Sequence, residues 1–214
     1  MRTLRLILLC LAPIALPAVA AIVDRVAITA GTKVITQSEI IRGIRLAAFQ
    51  SGLPPDFSAA SLREAAQRLI DQKLIEHEMD LGHYVRTADE ETAQLLATYT
   101  TENFHSDPVA LRLALAAVAL TPEDLHSALA AQADLLSFLT LRFRPAVQVS
   151  DEDIQKYFHE HIETKAVANP VVFSEVRSGI EQILANQRAD LDLEVWLKDQ
   201  RSHTRINYLL KELQ

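Results

Sequence analysis

Cysteine is nearly missing from this 214-residue chain, which carries one, Cys10, close to its beginning. No intramolecular disulfide can form, so an apolar core must hold the fold even in an oxidising compartment. Glycine is also scarce, with five in the whole chain. No G-x-G-x-x-G or P-loop spacing occurs, so a loop that cradles phosphates is not expected and neither is a cofactor. Positive charge is the minority sign, at 21 Lys and Arg against 28 Asp and Glu. Nucleic-acid binding depends on neutralising phosphates with basic residues, so a nucleic-acid partner is not expected. Long apolar runs are missing too. The longest, Leu6 to Leu16, is interrupted by Pro13 and followed by Pro17, and falls short of the roughly 20 residues that a spanning helix needs.

That run has the marks of an export leader. Arg2 and Arg5 precede it and Ala18-Val19-Ala20 closes the segment, so residues 1–20 read as a signal peptide cut after Ala20. The expected location is periplasmic, without a permanent membrane anchor. Cys10 lies inside the run, not at its end, which disfavours lipid attachment, and it leaves with the leader. Losing Arg2 and Arg5 takes the basic count to 19 and the formal charge from −7 to −9. The remaining 21–214 have the length and the Leu, Ile, Val and Ala content of one domain with one substantial core.

Two β-prone stretches, Val26–Thr29 and Lys33–Ile35, flank Ala30-Gly31-Thr32 and predict a small hairpin. Thr36-Gln37-Ser38-Glu39 is a capping box that opens a helix over 37–50, which Gly52, Pro54 and Pro55 end. Ser61-Leu62-Arg63-Glu64 and Thr87-Ala88-Asp89-Glu90 repeat the start signal. The helix after Ser61 places Leu62, Ala66, Leu69, Ile70, Leu74 and Leu81 on one stripe, and Gly82 is expected as a left-handed cap. Pro108 and Pro122 suit first-turn positions, with Thr121 and Ser150 as caps. Between the prolines, Val109 to Leu120 is apolar nearly all round except at Arg112. Such a helix is either enclosed by other helices or lies under a partner. A long helix over 174–201 and an alternating strand over 205–209 close the chain, and that strand is expected to pair with the hairpin.

Catalytic and metal chemistry find little support. His159-Glu160-His161, with Glu163 close behind, has the wrong spacing for one helical face, and His77 reads as a packed or half-exposed residue beside Leu74. No G-x-S-x-G turn presents a nucleophile. Asp89, Glu90 and Glu91 are explained by the helix dipole. The apolar residues around the first break are a better lead. Leu46, Phe49, Leu53 and Phe57, with Tyr99 and Phe104, are candidates either for the core or for lining an apolar groove that takes unfolded chains. Burial worth roughly 25 cal/mol per Å² and lacking direction suits weak, promiscuous binding.

The ordered pattern resembles the chaperone module of SurA-type periplasmic proteins. Its carriers are Asp24-Arg25-Val26-Ala27 with Val34-Ile35-Thr36-Gln37-Ser38-Glu39-Ile40, Leu69 to Ile75, and Phe138 to Pro145 with Val149 to Ile154 and Tyr157. Phe173 to Gln200, including Val195-Trp196-Leu197-Lys198, and Ile206-Asn207-Tyr208 complete it. The resemblance implies a mainly α, multi-helix chaperone module with a small N-terminal hairpin, a long C-terminal helix and a closing strand. The part over 21–163 would be completed by 171–214. Only the stretch from about Glu163 to Pro170 stands where the family's parvulin domain is inserted, so prolyl isomerase activity is not implied. The expected function is ATP-independent binding of unfolded secreted or outer-membrane polypeptides. The alternative is a structural or assembly subunit whose groove is filled by a fixed partner or by a second copy in a homodimer.

Overall fold

A computed structural model describes residues 24–163 and 172–214. The expected leader, its cleavage site and nearly all of the stretch in place of the parvulin domain lie outside the described residues. The architecture is mainly helical. A hairpin of β1 (Val26–Ala30) and β2 (Lys33–Thr36) precedes α1 (Gln37–Ser51) and α2 (Ala59–Leu81). Next come α3 (Asp89–Phe104), α4 (Pro108–Ala117), α5 (Pro122–Arg142) and α6 (Asp151–His161). The long α7 (Phe173–His203) and β3 (Ile206–Tyr208) follow. At 1.5 Å per residue, the 31 residues of α7 extend about 46 Å.

The hairpin turns at Gly31, whose φ of 59° suits a residue without Cβ. β3 pairs antiparallel with β1, Ile28 facing Tyr208 and Ala30 facing Ile206, which gives the sheet order β2-β1-β3. Two side-chain links fasten this closure to α2. Gln67 Nε2 donates to the Tyr208 hydroxyl at 2.8 Å, and Arg201 grips Asp71 through two bonds of 2.7 and 2.6 Å. Burial pushes the Asp71 carboxyl up, and outweighs the opposing pull of Arg201.

Helix starts follow local chemistry, with two corrections to the sequence reading. Thr36, Thr121 and Ser150 each close a reciprocal capping box, on Glu39, Asp124 and Asp153. Ser61, however, lies inside α2. Asp56 holds the Ser58 amide at 2.9 Å and the Ser61 hydroxyl at 2.5 Å, and Ser58 accepts from the Ser61 amide, so the helix begins one turn earlier. Thr87 does not cap α3 either. Its amide and hydroxyl both donate to Asp134 Oδ1 on α5, at 2.7 and 2.8 Å, which leaves Ala88 as a cap without a side-chain bond.

Among the described residues, the buried apolar side chains fall into four clusters. The sheet, α1 and α2 share one around Ile28, Ile35, Ile40 and Ile70. A second joins α1, α3, α4 and α5. A third places Phe138 among Tyr84, Phe143 and Trp196 where α2, α5 and α7 meet, with ring centroids 5.4 to 5.7 Å from Phe138. The fourth pairs α6 with the first half of α7 through Ile154, Phe158 and Ile180. Along the expected α2 stripe, Ala66, Ile70 and Leu74 are buried and Leu62 and Leu69 pack beside them, but Leu81 is exposed. On α7, Ile180 is buried while Ile183, Leu191 and Val195 face outward.

Candidate apolar binding surface

Four of the six residues singled out from the sequence come together. Phe49 of α1 stacks on Phe104 at 6.2 Å and 4°, and Tyr99 of α3 stands 6.2 Å from Phe49 and 6.3 Å from Phe104. Leu46 packs in the same cluster. These rings are half-buried, and burial raises the pKa of the Tyr99 hydroxyl. Leu53 and Phe57 do not join them. Both belong to the connection between α1 and α2, where they are 65% and 44% exposed.

What the aromatic triad does is support α4. Leu111 and Leu115 of α4 are buried in that cluster, with Leu120 and Leu125 beyond them. Residues 109, 113 and 116 lie on the opposite side of a helix with 3.6 residues per turn. There Val109 is 50% exposed, Leu113 is 68% exposed, and Ala116 and Ala117 are exposed as well. Of the two arrangements open to a helix apolar all round, α4 does not adopt full enclosure: one face is packed and one is bare. Fully burying a Val or Leu side chain is worth about 1.5–3 kcal/mol, and the outer face of α4 leaves much of that gain unrealised. Reading the sequence drew attention to the composition of this segment but did not single out Val109 or Leu113. The signal was the missing polar stripe: a helix with one face in water ordinarily carries charge there, and α4 offers only Arg112.

The α4 surface is held firmly from behind and at both ends. Asp107 caps α4 by accepting from the amides of Val109 and Ala110 at 2.8 and 3.1 Å, and Pro108 fills the first turn. At the far end, Ala119 takes a left-handed φ of 54°, and its carbonyl accepts from Arg45 at 3.3 Å. Beside it opens a cleft of about 350 Å³, lined by Asp24, Ser38, Ile41, Arg42, Arg45, Leu120 and Asp124 among others. The Arg42–Asp124 ion pair, at 2.7 Å, occupies its wall, so this cleft is polar and is not the apolar groove expected from the sequence.

The histidines show no such organisation. His159 is paired with Glu163 and His161 lies against the Tyr157 ring, 4.5 Å between centroids. His77 is exposed on α2 instead of packed. Among the described residues no three His, Cys, Asp or Glu side chains are grouped so that they could hold a metal ion. No helix among them is long and apolar enough to cross a membrane. No protein-family model matches the chain, and no curated protein matches it either.

Proposed function

We propose that the protein is an ATP-independent chaperone of the periplasm that shields apolar segments of unfolded secreted or outer-membrane polypeptides on the outer face of α4. The observation that carries this reading is the bare stripe of Val109, Leu113 and Ala116 on a helix whose opposite side is packed. An apolar stripe left in water on a helix that is packed from behind is the kind of surface on which another molecule can dock. Because the stripe offers no directional polar contacts, it discriminates poorly among guests, and low selectivity is what a holding chaperone needs. Export, expected from residues 1–20, puts the surface where its guests are.

The purified protein at equimolar amounts is expected to delay aggregation of an unfolded envelope polypeptide in the absence of nucleotide. Leu113→Glu should abolish most of that delay. Because Leu113 is largely solvent-exposed, the melting temperature should move by no more than about 2 °C. No delay from the wild-type protein, or full protection by Leu113→Glu, would remove this reading. Light scattering that found a stable dimer with the α4 face buried would instead favour a structural or assembly subunit.

A further inference from the structure

We infer that the cleft between α1 and the turn joining α4 to α5 is a carboxylate site, in which Arg45 receives a carboxylate carried on an apolar group, as at the C-terminal residue of a polypeptide or in a small free acid. The site goes beyond the proposed function and does not rest on the bare face of α4.

A second side of α1 builds the cleft. Ile40, Ile44 and Ala48 turn one side of that helix into the core. Ser38, Ile41, Arg42 and Arg45, at helical spacings of three and four, share another side and line the cleft. Facing them are Ala119 and Leu120, in the turn after α4, and Asp124 in the first turn of α5. The space of about 350 Å³ lies at the lower end of the roughly 300–1,000 Å³ that small-molecule sites occupy.

Charges in the wall are even in number and uneven in pairing. Asp24 accepts from the amide and the hydroxyl of Ser38. Asp124 is used at both oxygens: Oδ2 accepts from the Thr121 amide and hydroxyl at 2.8 and 3.0 Å, and Oδ1 stands 2.7 Å from Nε of Arg42. Arg45, by contrast, has no carboxylate partner among the described residues. Its hydrogen bond runs from Nη1 to the Ala119 carbonyl at 3.3 Å, a long contact that leaves most of the guanidinium donors unused. That bond sets the position of the group. Ala119 holds a left-handed φ of 54°, a costly conformation for a residue with Cβ, and the bond ties Arg45 to this turn.

A guanidinium held at one corner offers the rest of its edge as a planar fork, and a carboxylate matches such a fork with two parallel bonds. Asp24 and Asp124 in the same wall repel a doubly charged phosphate more strongly than a single negative charge, which again favours a carboxylate. Ile41 and Ala119 supply apolar surface in the same lining, so an acid with an apolar group gains burial that formate or acetate does not. The exposed Gln37 carboxamide adds a donor and an acceptor suited to an adjoining peptide group.

The test uses N-acetyl-L-leucine and its amide as probes, with binding followed through the backbone amide shifts of the protein. The acid is expected to bind about tenfold more tightly than the amide, with shifts centred on residues 38–45 and 118–121. Arg45→Gln, which keeps a donor for the Ala119 carbonyl, should weaken binding of the acid about tenfold while the melting temperature moves by no more than about 2 °C. Leu113→Glu should leave binding of the acid unchanged, which separates this site from the face of α4. A short peptide ending in leucine, as free acid and as amide, distinguishes the sources. If the peptide acid binds at least as tightly as N-acetylleucine, the site takes chain ends; if it binds more weakly, the site takes small acids. Equal binding of acid and amide, unchanged affinity in Arg45→Gln, or shifts confined to another part of the molecule would overturn the inference.

Discussion

At Gly82 the backbone φ is −83°, a value any residue adopts. The glycine is needed for space: a Cβ there would stand 2.5 Å from Cε2 of Tyr84 and 3.3 Å from the Glu78 carbonyl. Tyr84 in turn packs edge-on against Phe138, so it has little room to retreat. Gly82→Ala should therefore destabilise the protein by about 1–3 kcal/mol despite alanine's better helix propensity, as denaturant melts would read. The left-handed conformation expected at Gly82 falls one residue later, on His83, with φ 53°. Torsional preference is local and can be read from a sequence, whereas the approach of a ring from across a turn cannot. The same reason separates Thr36 from Thr87. Both carry a start signal, but only Thr87 has Asp134 of a distant helix competing for its hydroxyl. For Leu46, Phe49, Tyr99 and Phe104, apolar character alone was legible; that they meet and support α4 depends on how three helices pack.

Among the helices, α4 was the most informative in sequence because its lack of a polar stripe allowed only two arrangements, and packing on one face decides between them. The α6–α7 pair is held differently. Behind its small apolar cluster, Asp153 receives the Ser150 hydroxyl and pairs with Arg188 at 2.8 Å, and these contacts hold its carboxyl at about 2 against an ordinary 3.8. A carboxyl depressed in the folded state stabilises it above the ordinary value, and that contribution is lost as pH falls through the folded value. Hydrogen exchange along α6 and the first half of α7 should accordingly speed up as pH is lowered from about 4 toward 2, after correction for intrinsic rates. In Asp153→Asn this extra acid sensitivity should be reduced. An unchanged pH profile in the variant would show that Asp153 does not contribute. The length of α7 and the strand after it were legible from periodicity. Which of its apolar residues would remain bare was not, because Ile180, Ile183, Leu191 and Val195 are alike in type and differ only in their neighbours.

In the molecule as a whole, β3 returns to pair with β1, and the Arg201–Asp71 and Gln67–Tyr208 links fasten that return to α2. Closure at this end leaves the α1, α3, α4 and α5 cluster to present a supported apolar face at another place. The expected fold class, a mainly helical chain with an N-terminal hairpin, a long C-terminal helix and a closing strand, is what the structure has. Sequence periodicity reveals such elements but is silent on which side of a doubly apolar helix stays open. That choice is the basis of the functional proposal, which locates guest binding on α4. Hydrogen exchange of the protein with and without a saturating unfolded envelope polypeptide tests it most directly. The account expects slowed exchange concentrated in residues 108–117 and the adjoining end of α3. Slowing confined to α7 or the sheet, with α4 unchanged while aggregation of the guest is suppressed, would contradict it.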